Sequence, residues 1–281
     1  MHSPAPRIES FTATDGYAFA CRRWESDAPR ANVVVLHGII SHSGWYLKTG
    51  EHLAQAGFAV HALDRRGSGS NGQARGDVDR YPTWIADVEQ YIEALGDNVP
   101  VLLVGISWGG LLATAVARRH PERIAGLGLI CPGLFARKGT SAIQYYAVRT
   151  AARWGMASWR FPVPLRDPRL FTDSPSWQAF IRDDPETLRK VTLRLARASG
   201  ELYLDTVRDP ELIRVPTLLM LAGKDPIIKN EEVRAFVEKF STGQQTILEY
   251  PEASHTLEFE PDPSKYLSDL EAWCRAASER R

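Results

Sequence analysis

Val101-Leu102-Leu103-Val104-Gly105-Ile106-Ser107-Trp108-Gly109-Gly110 is the stretch that decides the fold. Pro100 closes the loop before it, and the branched apolar residues that follow predict a strand buried on both faces. From Leu111 to Ala117 the composition turns to Leu and Ala, which favour helix. Between strand and helix lies a G-x-S-x-G pattern centred on Ser107. A chain that reverses so tightly has no room for side chains beside the serine, hence Gly105 and Gly109. The turn would hold the Ser107 hydroxyl outward at the carboxyl end of a sheet, above a helix N-terminus.

Working outward, residues 8–12 and 17–24 predict an antiparallel opening hairpin across Asp15-Gly16. Residues 32–36 are a fully apolar strand running into His37-Gly38-Ile39-Ile40. A helix over 46–56 follows, stopped by Gly57. Residues 59–63 are the next strand, with Asp64-Arg65-Arg66-Gly67-Ser68-Gly69-Ser70 as its loop. Trp84, Ile85, Val88, Ile92 and Leu95 recur at helical spacing over 81–95. Strands at 124–130, 215–221 and 245–250 and helices at 231–240 and 264–277 complete the pattern. Strands alternating with helices call for a mostly parallel, eight-stranded sheet with helices on both faces. Such sheets bind ligands outside the carboxyl ends of their strands.

Between 134 and 208 the rhythm breaks, and aromatics and arginines gather: Tyr145, Tyr146, Trp154, Trp159, Phe161, Phe171, Trp177 and Phe180. Helical patterns show at 141–154, 174–182 and 185–204, the last with Asp183-Asp184 at its start to cap it. A structureless loop of this length does not suit a compact domain. Residues 134–208 therefore read as an inserted helical cap, with 1–133 and 209–281 as the α/β core. Each cap aromatic is either its own packing or substrate wall.

The chain's 281 residues suit one large α/β domain carrying such an insertion. Its 34 basic and 34 acidic residues balance, which removes the electrostatic case for a nucleic-acid partner. No apolar run approaches the length of a membrane segment. Residues 1–10, with Pro4, Pro6, Arg7 and Glu9, lack the apolar core of a secretory signal, so a cytoplasmic location is expected. Cys21, Cys131 and Cys274 are odd in number and widely spaced, which predicts buried thiols rather than disulfides or a zinc site.

A serine hydroxyl needs a base within hydrogen-bond reach, itself oriented by an acid. Of seven histidines, His2 lies at the terminus, His61 mid-strand, His52 in a helix and His120 at a helix end. His37 and His42 flank the loop after the 32–36 strand. His255 alone follows the final strand, in a loop at the active edge. Asp225 follows the strand after the cap and precedes His255, giving the order Ser…Asp…His expected of this turn. Asp64 reads instead as loop structure, tied to backbone amides or Arg65, and Asp205 and Asp209 lie at the exit of the cap. Two backbone donors would face the tetrahedral intermediate: the N–H of Trp108 and that of Ile39, which Gly38 lets close to the substrate. The Trp108 ring is a candidate wall of the acyl pocket.

With these residues in place, the chain resembles α/β-hydrolases of the monoacylglycerol lipase and lysophospholipase type over nearly its whole length. His37-Gly38-Ile39-Ile40-Ser41-His42-Ser43-Gly44 resembles that family's oxyanion loop. Residues 64–72 resemble its D-x-R-G-x-G-x-S loop and residues 105–110 its elbow. Asp184-Pro185-Glu186, Lys190-Val191-Thr192 and Ala253-Ser254-His255 are similar too. The family usually carries Glu where this chain has Ser41, and His where it has Ser68. Both departures weaken the inference to a glycerol head group. The resemblance implies a cap that shelters an acyl chain and a reaction passing through an acyl-enzyme.

The expectation is a serine ester hydrolase acting on a small-molecule acyl ester with a medium or long apolar acyl group. Ser107, His255 and Asp225 would act, and no metal or cofactor is implied. The alternatives are an acyltransferase or C–C bond hydrolase on the same scaffold, or a binding protein that keeps the fold without the chemistry. Dehalogenase and epoxide-hydrolase chemistry is disfavoured, because those relatives place an aspartate where Ser107 stands.

Overall fold

The computed structural model describes residues 5–137, 150 and 155–279. Eight of the ten strands among them form one sheet: β1 (Arg7–Thr12), β2 (Ala18–Trp24), β3 (Asn32–Leu36), β4 (Ala59–Leu63), β5 (Val101–Ile106), β6 (Gly126–Ile130), β9 (Thr217–Ala222) and β10 (Gln245–Tyr250). The other two, β7 (Arg160–Pro162) and β8 (Lys190–Thr192), pair with each other. The sheet order is β1-β2-β4-β3-β5-β6-β9-β10. β2 is antiparallel to both β1 and β4, and every other neighbouring pair is parallel.

Every residue of β3, β4, β5, β6 and β9 is buried. Side chains on both faces of these strands are covered, which is why their sequences are unbroken apolar runs rather than alternations. The edge strands β1 and β10 are partly exposed. β3 stands between β4 and β5, with Leu36 beside Gly105. The chain runs outward from β3 to β4, then returns past β3 to form β5. The loops leaving β3 and β5 therefore lie together at the carboxyl edge, at a topological switch point.

Among the described residues, seven helices of two turns or more accompany the strands: α1 (Leu47–Gln55), α2 (Tyr81–Ala94), α3 (Trp108–Arg119), α4 (Pro175–Asp183), α5 (Leu193–Thr206), α6 (Asn230–Val237) and α7 (Ser264–Ser278). α3 is buried at every position from Trp108 to Ala117, and its small residues let it pack on β5, β6, α2 and α5 together. α1 packs against α7. No helix among the described residues is long and apolar enough to cross a membrane.

The stretch between β6 and β9 departs from the sequence reading in two ways. The helix expected over 185–204 begins only at Leu193, where the Thr192 hydroxyl accepts from the Leu195 N–H as its cap. Lys190–Thr192 instead pair with β7. Asp184 does not start a helix. It closes α4 and turns its carboxylate to the side chains of Trp45 and Thr187 rather than to the first amides of α5. The segment thus holds two helices of two turns or more, short 3-10 turns and a short ribbon among its described residues. The helix expected over 141–154 lies outside the described residues, apart from residue 150.

Candidate active site

The elbow is built as the glycine spacing requires. Ser107 joins β5 to α3 at φ +52° and ψ −123°, a region that side chains rarely adopt. A Cβ on Gly105 would lie 2.5 Å from the Gly109 carbonyl oxygen, and one on Gly109 would lie 2.1 Å from that of Leu36. Neither position tolerates a side chain. The Ser107 N–H donates to Ile130 O (3.0 Å), and its carbonyl accepts from Gly110 and Gly133 (2.8 and 2.7 Å). These backbone bonds hold the turn open at its serine.

Ser107 Oγ lies 2.9 Å from His255 Nε2, and His255 Nδ1 lies 2.6 Å from Asp225 Oδ2. The three residues are buried. An ionised carboxylate can only accept, so Nδ1 carries the proton and Nε2 is left to accept from the serine. The second carboxylate oxygen, Oδ1, accepts from the Ile227 and Ile228 N–H groups (2.7 and 3.1 Å). Asp225 is thus aimed by its own turn before it meets the imidazole.

The remaining histidines among the described residues have other partners. His61 sits between Tyr91 Oη and Asn32 Oδ1 (2.9 and 3.1 Å), and burial pulls its pKa down to about 3. His52 and His120 face Glu271 and Glu89 at the surface. Asp64 accepts from the Ser43 and Ser70 N–H groups and the Ser70 hydroxyl (2.7, 2.9 and 2.8 Å), tying the loop after β3 to the loop after β4. Asp205 pairs with Arg118 and Arg119.

Gly38 passes beside the nucleophile. A Cβ there would lie 3.2 Å from Ser41 Oγ and 3.3 Å from Ser107 Cβ, so a side chain would press on the nucleophile where glycine does not. The Trp108 ring meets both α2 and α5. Its Nε1 donates to Ser199 Oγ of α5 (2.7 Å), and its ring meets Trp84 edge-on at 4.7 Å. On the opposite side, Phe171 lies edge-on to His255 with ring centroids 5.9 Å apart, and the Thr256 N–H donates to Phe171 O (2.9 Å).

Two groups escaped the sequence reading. His42 Nε2 donates to Asp184 Oδ2 (2.8 Å), which also accepts from Trp45 Nε1 (3.0 Å), joining the loop after β3 to the segment before β9. The pairs are separated by 142 and 139 residues, and no local pattern announces them. Arg65 fills the variable position of the D-x-R-G loop, yet its side chain reaches the Ile39 carbonyl (2.9 Å). As for metals, Cys131, Asp225 and His255 offer ligand atoms within 4.8 Å of one another. Burial and the Asp225 charge hold the Cys131 thiol protonated, whereas a metal needs the thiolate.

The sequence over residues 27–262 matches the family model described as serine aminopeptidase, S33. The chain belongs to this family. A monoacylglycerol lipase of Mycolicibacterium smegmatis is 26% identical to this S33 chain over 97% of it and 98% of the relative. Phospholipase YtpA of Bacillus subtilis is 26% identical over 85% of the chain and 93% of the relative. The crystal structure of Paleococcus ferrophilus monoacylglycerol lipase superposes with a TM-score of 0.84 at 25% identity, covering 92% of this chain and 99% of that one. The S33 chain is therefore an α/β-hydrolase of the monoacylglycerol lipase-like kind, a carboxylic ester hydrolase.

Proposed function

We propose that this enzyme hydrolyses carboxylic esters of medium or long apolar acyl groups through an acyl-enzyme on Ser107. The observation that carries the reading is the continuous bonded chain from Ser107 Oγ through His255 to Asp225. His255 Nε2 takes the hydroxyl proton as Oγ attacks the ester carbonyl, and returns it to the alcohol as the C–O bond breaks. Water repeats the sequence, leaving a carboxylic acid and free serine. Asp225 holds the tautomer and stabilises the imidazolium without taking the proton. The N–H groups of Ile39 and Trp108 receive the oxyanion.

Residues 134–208 serve as the cap. Ser199 on the Trp108 ring and Phe171 on the His255 ring support this, since they set the segment against both sides of the nucleophile. Trp45, Trp177, Phe180 and Phe259 pack with Phe171 into one aromatic cluster beside His255, surroundings that favour an apolar substrate over a charged one. Ser41, where relatives of this kind usually carry Glu, bonds to Tyr46 Oη (3.1 Å). The alcohol side thus lacks that carboxylate, and the acyl side governs selectivity. Monoacylglycerols and lysophospholipids are the natural class.

The test is a panel of p-nitrophenyl esters, monoacylglycerols, lysophospholipids and aminoacyl p-nitroanilides, ranked by kcat/KM. Esters of medium or long acyl chains should lead, and Ser107→Ala should abolish turnover and fluorophosphonate labelling. Preference for the anilides, or activity surviving Ser107→Ala, would overturn the reading.

A further inference from the structure

Two arginines stand side by side after β4, and they are treated differently. Arg66 is an ordinary structural cation: Nε and Nη2 meet the Asp87 carboxylate at 2.8 and 2.6 Å, and Nη2 also reaches Asp15. Arg65 is equally buried but makes no ion pair among the described residues. Its Nε and Nη1 find no hydrogen-bond partner, and burial pulls its pKa down to about 9. A buried cation without a counter-ion costs stability. Its company is instead two indole rings, with the guanidinium 5.9 Å from the Trp84 ring centroid and closer still to that of Trp108.

The hydrogen bonds that Arg65 donates all fall on the loop after β3. Nη2 donates to Ile39 O (2.9 Å) and, more weakly, to Gly38 O (3.4 Å). Its own N–H donates to His37 Nε2 (2.9 Å). That bond makes Nε2 an acceptor, so the proton sits on Nδ1, which donates to Gly38 O at 2.7 Å. Burial keeps the His37 ring neutral, with a pKa of about 3, so this tautomer holds at working pH. The Gly38 carbonyl belongs to the same planar peptide as the Ile39 N–H. In a trans peptide the two point in opposite directions, so anchoring the carbonyl aims the N–H. Drawing electron density from the carbonyl also strengthens the N–H as a donor. At the same time the guanidinium lies 4.5 Å from the centroid of the Trp108 ring, the side chain of the residue that supplies the other amide.

We propose that Arg65 is the positioning residue of the oxyanion hole: it aims and polarises the Gly38–Ile39 peptide from one side and braces Trp108 from the other. The inference rests on the reading of Ile39 and Trp108 as oxyanion donors. A buried positive charge this close also favours the negative charge that develops in the transition state.

The experiment compares wild type, Arg65→Met and Arg65→Lys, each titrated to completion with a fluorophosphonate so that rates are per competent site. Removing a direct oxyanion donor costs about 10²–10³ in kcat, and an indirect support should cost about ten- to a hundredfold. Arg65→Met should lose that factor in kcat with KM little changed. It should lose the same factor in affinity for an alkyl trifluoromethyl ketone, whose serine adduct carries the oxyanion, but not for the matching methyl alcohol. Arg65→Lys, which keeps the charge, should recover part of both losses. Unchanged kcat, a loss confined to KM, or unchanged ketone affinity would each overturn the proposal. A wild-type enzyme that neither labels nor cleaves esters would instead remove the functional reading, and this proposal with it.

Discussion

Ser107 occupies backbone space that suits glycine, at φ +52°, and such strain costs about 1–3 kcal/mol. The cost is visible only when catalysis is set aside, so two inactive variants measure it. Ser107→Gly should melt above Ser107→Ala by about 2 °C, a stabilisation of roughly 1 kcal/mol, in differential scanning calorimetry. Equal or reversed melting points would mean that the turn is relaxed. The residues at this scale differ in how far the sequence announced them. Ser107, Asp225 and His255 each close a strand or its loop at one sheet edge, so chain order and element position sufficed to nominate them. Arg65 was read only as a possible partner for Asp64, because a guanidinium bonded to carbonyls a loop away leaves no trace in spacing.

Between elements, two buried carboxylates tie loops to helices, with opposite pH signatures. Glu258, in the turn after His255, accepts from the Lys48 and Thr49 N–H groups at the start of α1 and from the Thr49 hydroxyl. Burial outweighs these donors and raises its pKa to about 7. Between the unfolded value of about 4.5 and 7 the folded state binds the extra proton, so stability falls as pH rises through that window and levels above it. The change is at most about 3 kcal/mol. Glu258→Gln should flatten the dependence in urea denaturation at pH 5, 6, 7 and 8; an unchanged slope would assign it to other groups. At Asp184 burial also pushes upward, but the donors Trp45, His42 and Thr187 win, leaving the pKa below its ordinary value. Its contribution is present at neutral pH and lost as pH falls through the folded pKa. Asp184→Ala strands those donors and should cost about 2–4 kcal/mol in urea denaturation at pH 7. Here the sequence was less legible. Apolar runs named β3 to β6 and β9 because burial on both faces leaves a continuous signal. The three-residue β7–β8 ribbon is too short for any periodicity, and its pairing overrode the helical pattern from 185 onward.

For the whole molecule, the sheet's arithmetic was readable from eight strand patterns, the first two alternating and the inner ones mostly apolar, and from the helices between them, while its order was not. Nothing in the chain before β5 says that it will return past β3, yet that return sets the Gly38 loop beside Ser107. Strand position also separates the catalytic partners. β5 has hydrogen-bonded neighbours on both sides, whereas the His255 loop follows β10, which has β9 alone. Amide hydrogen exchange should therefore be slowest over residues 101–106 and faster over 245–250, with the two regions opening in separate steps. Simultaneous exchange would show a single cooperative unit. The practical corollary concerns how the enzyme dies on warming. Its proton acceptor is housed in the flank that frays first, so turnover should vanish while the interior is still intact, and briefly heated samples should regain activity on cooling.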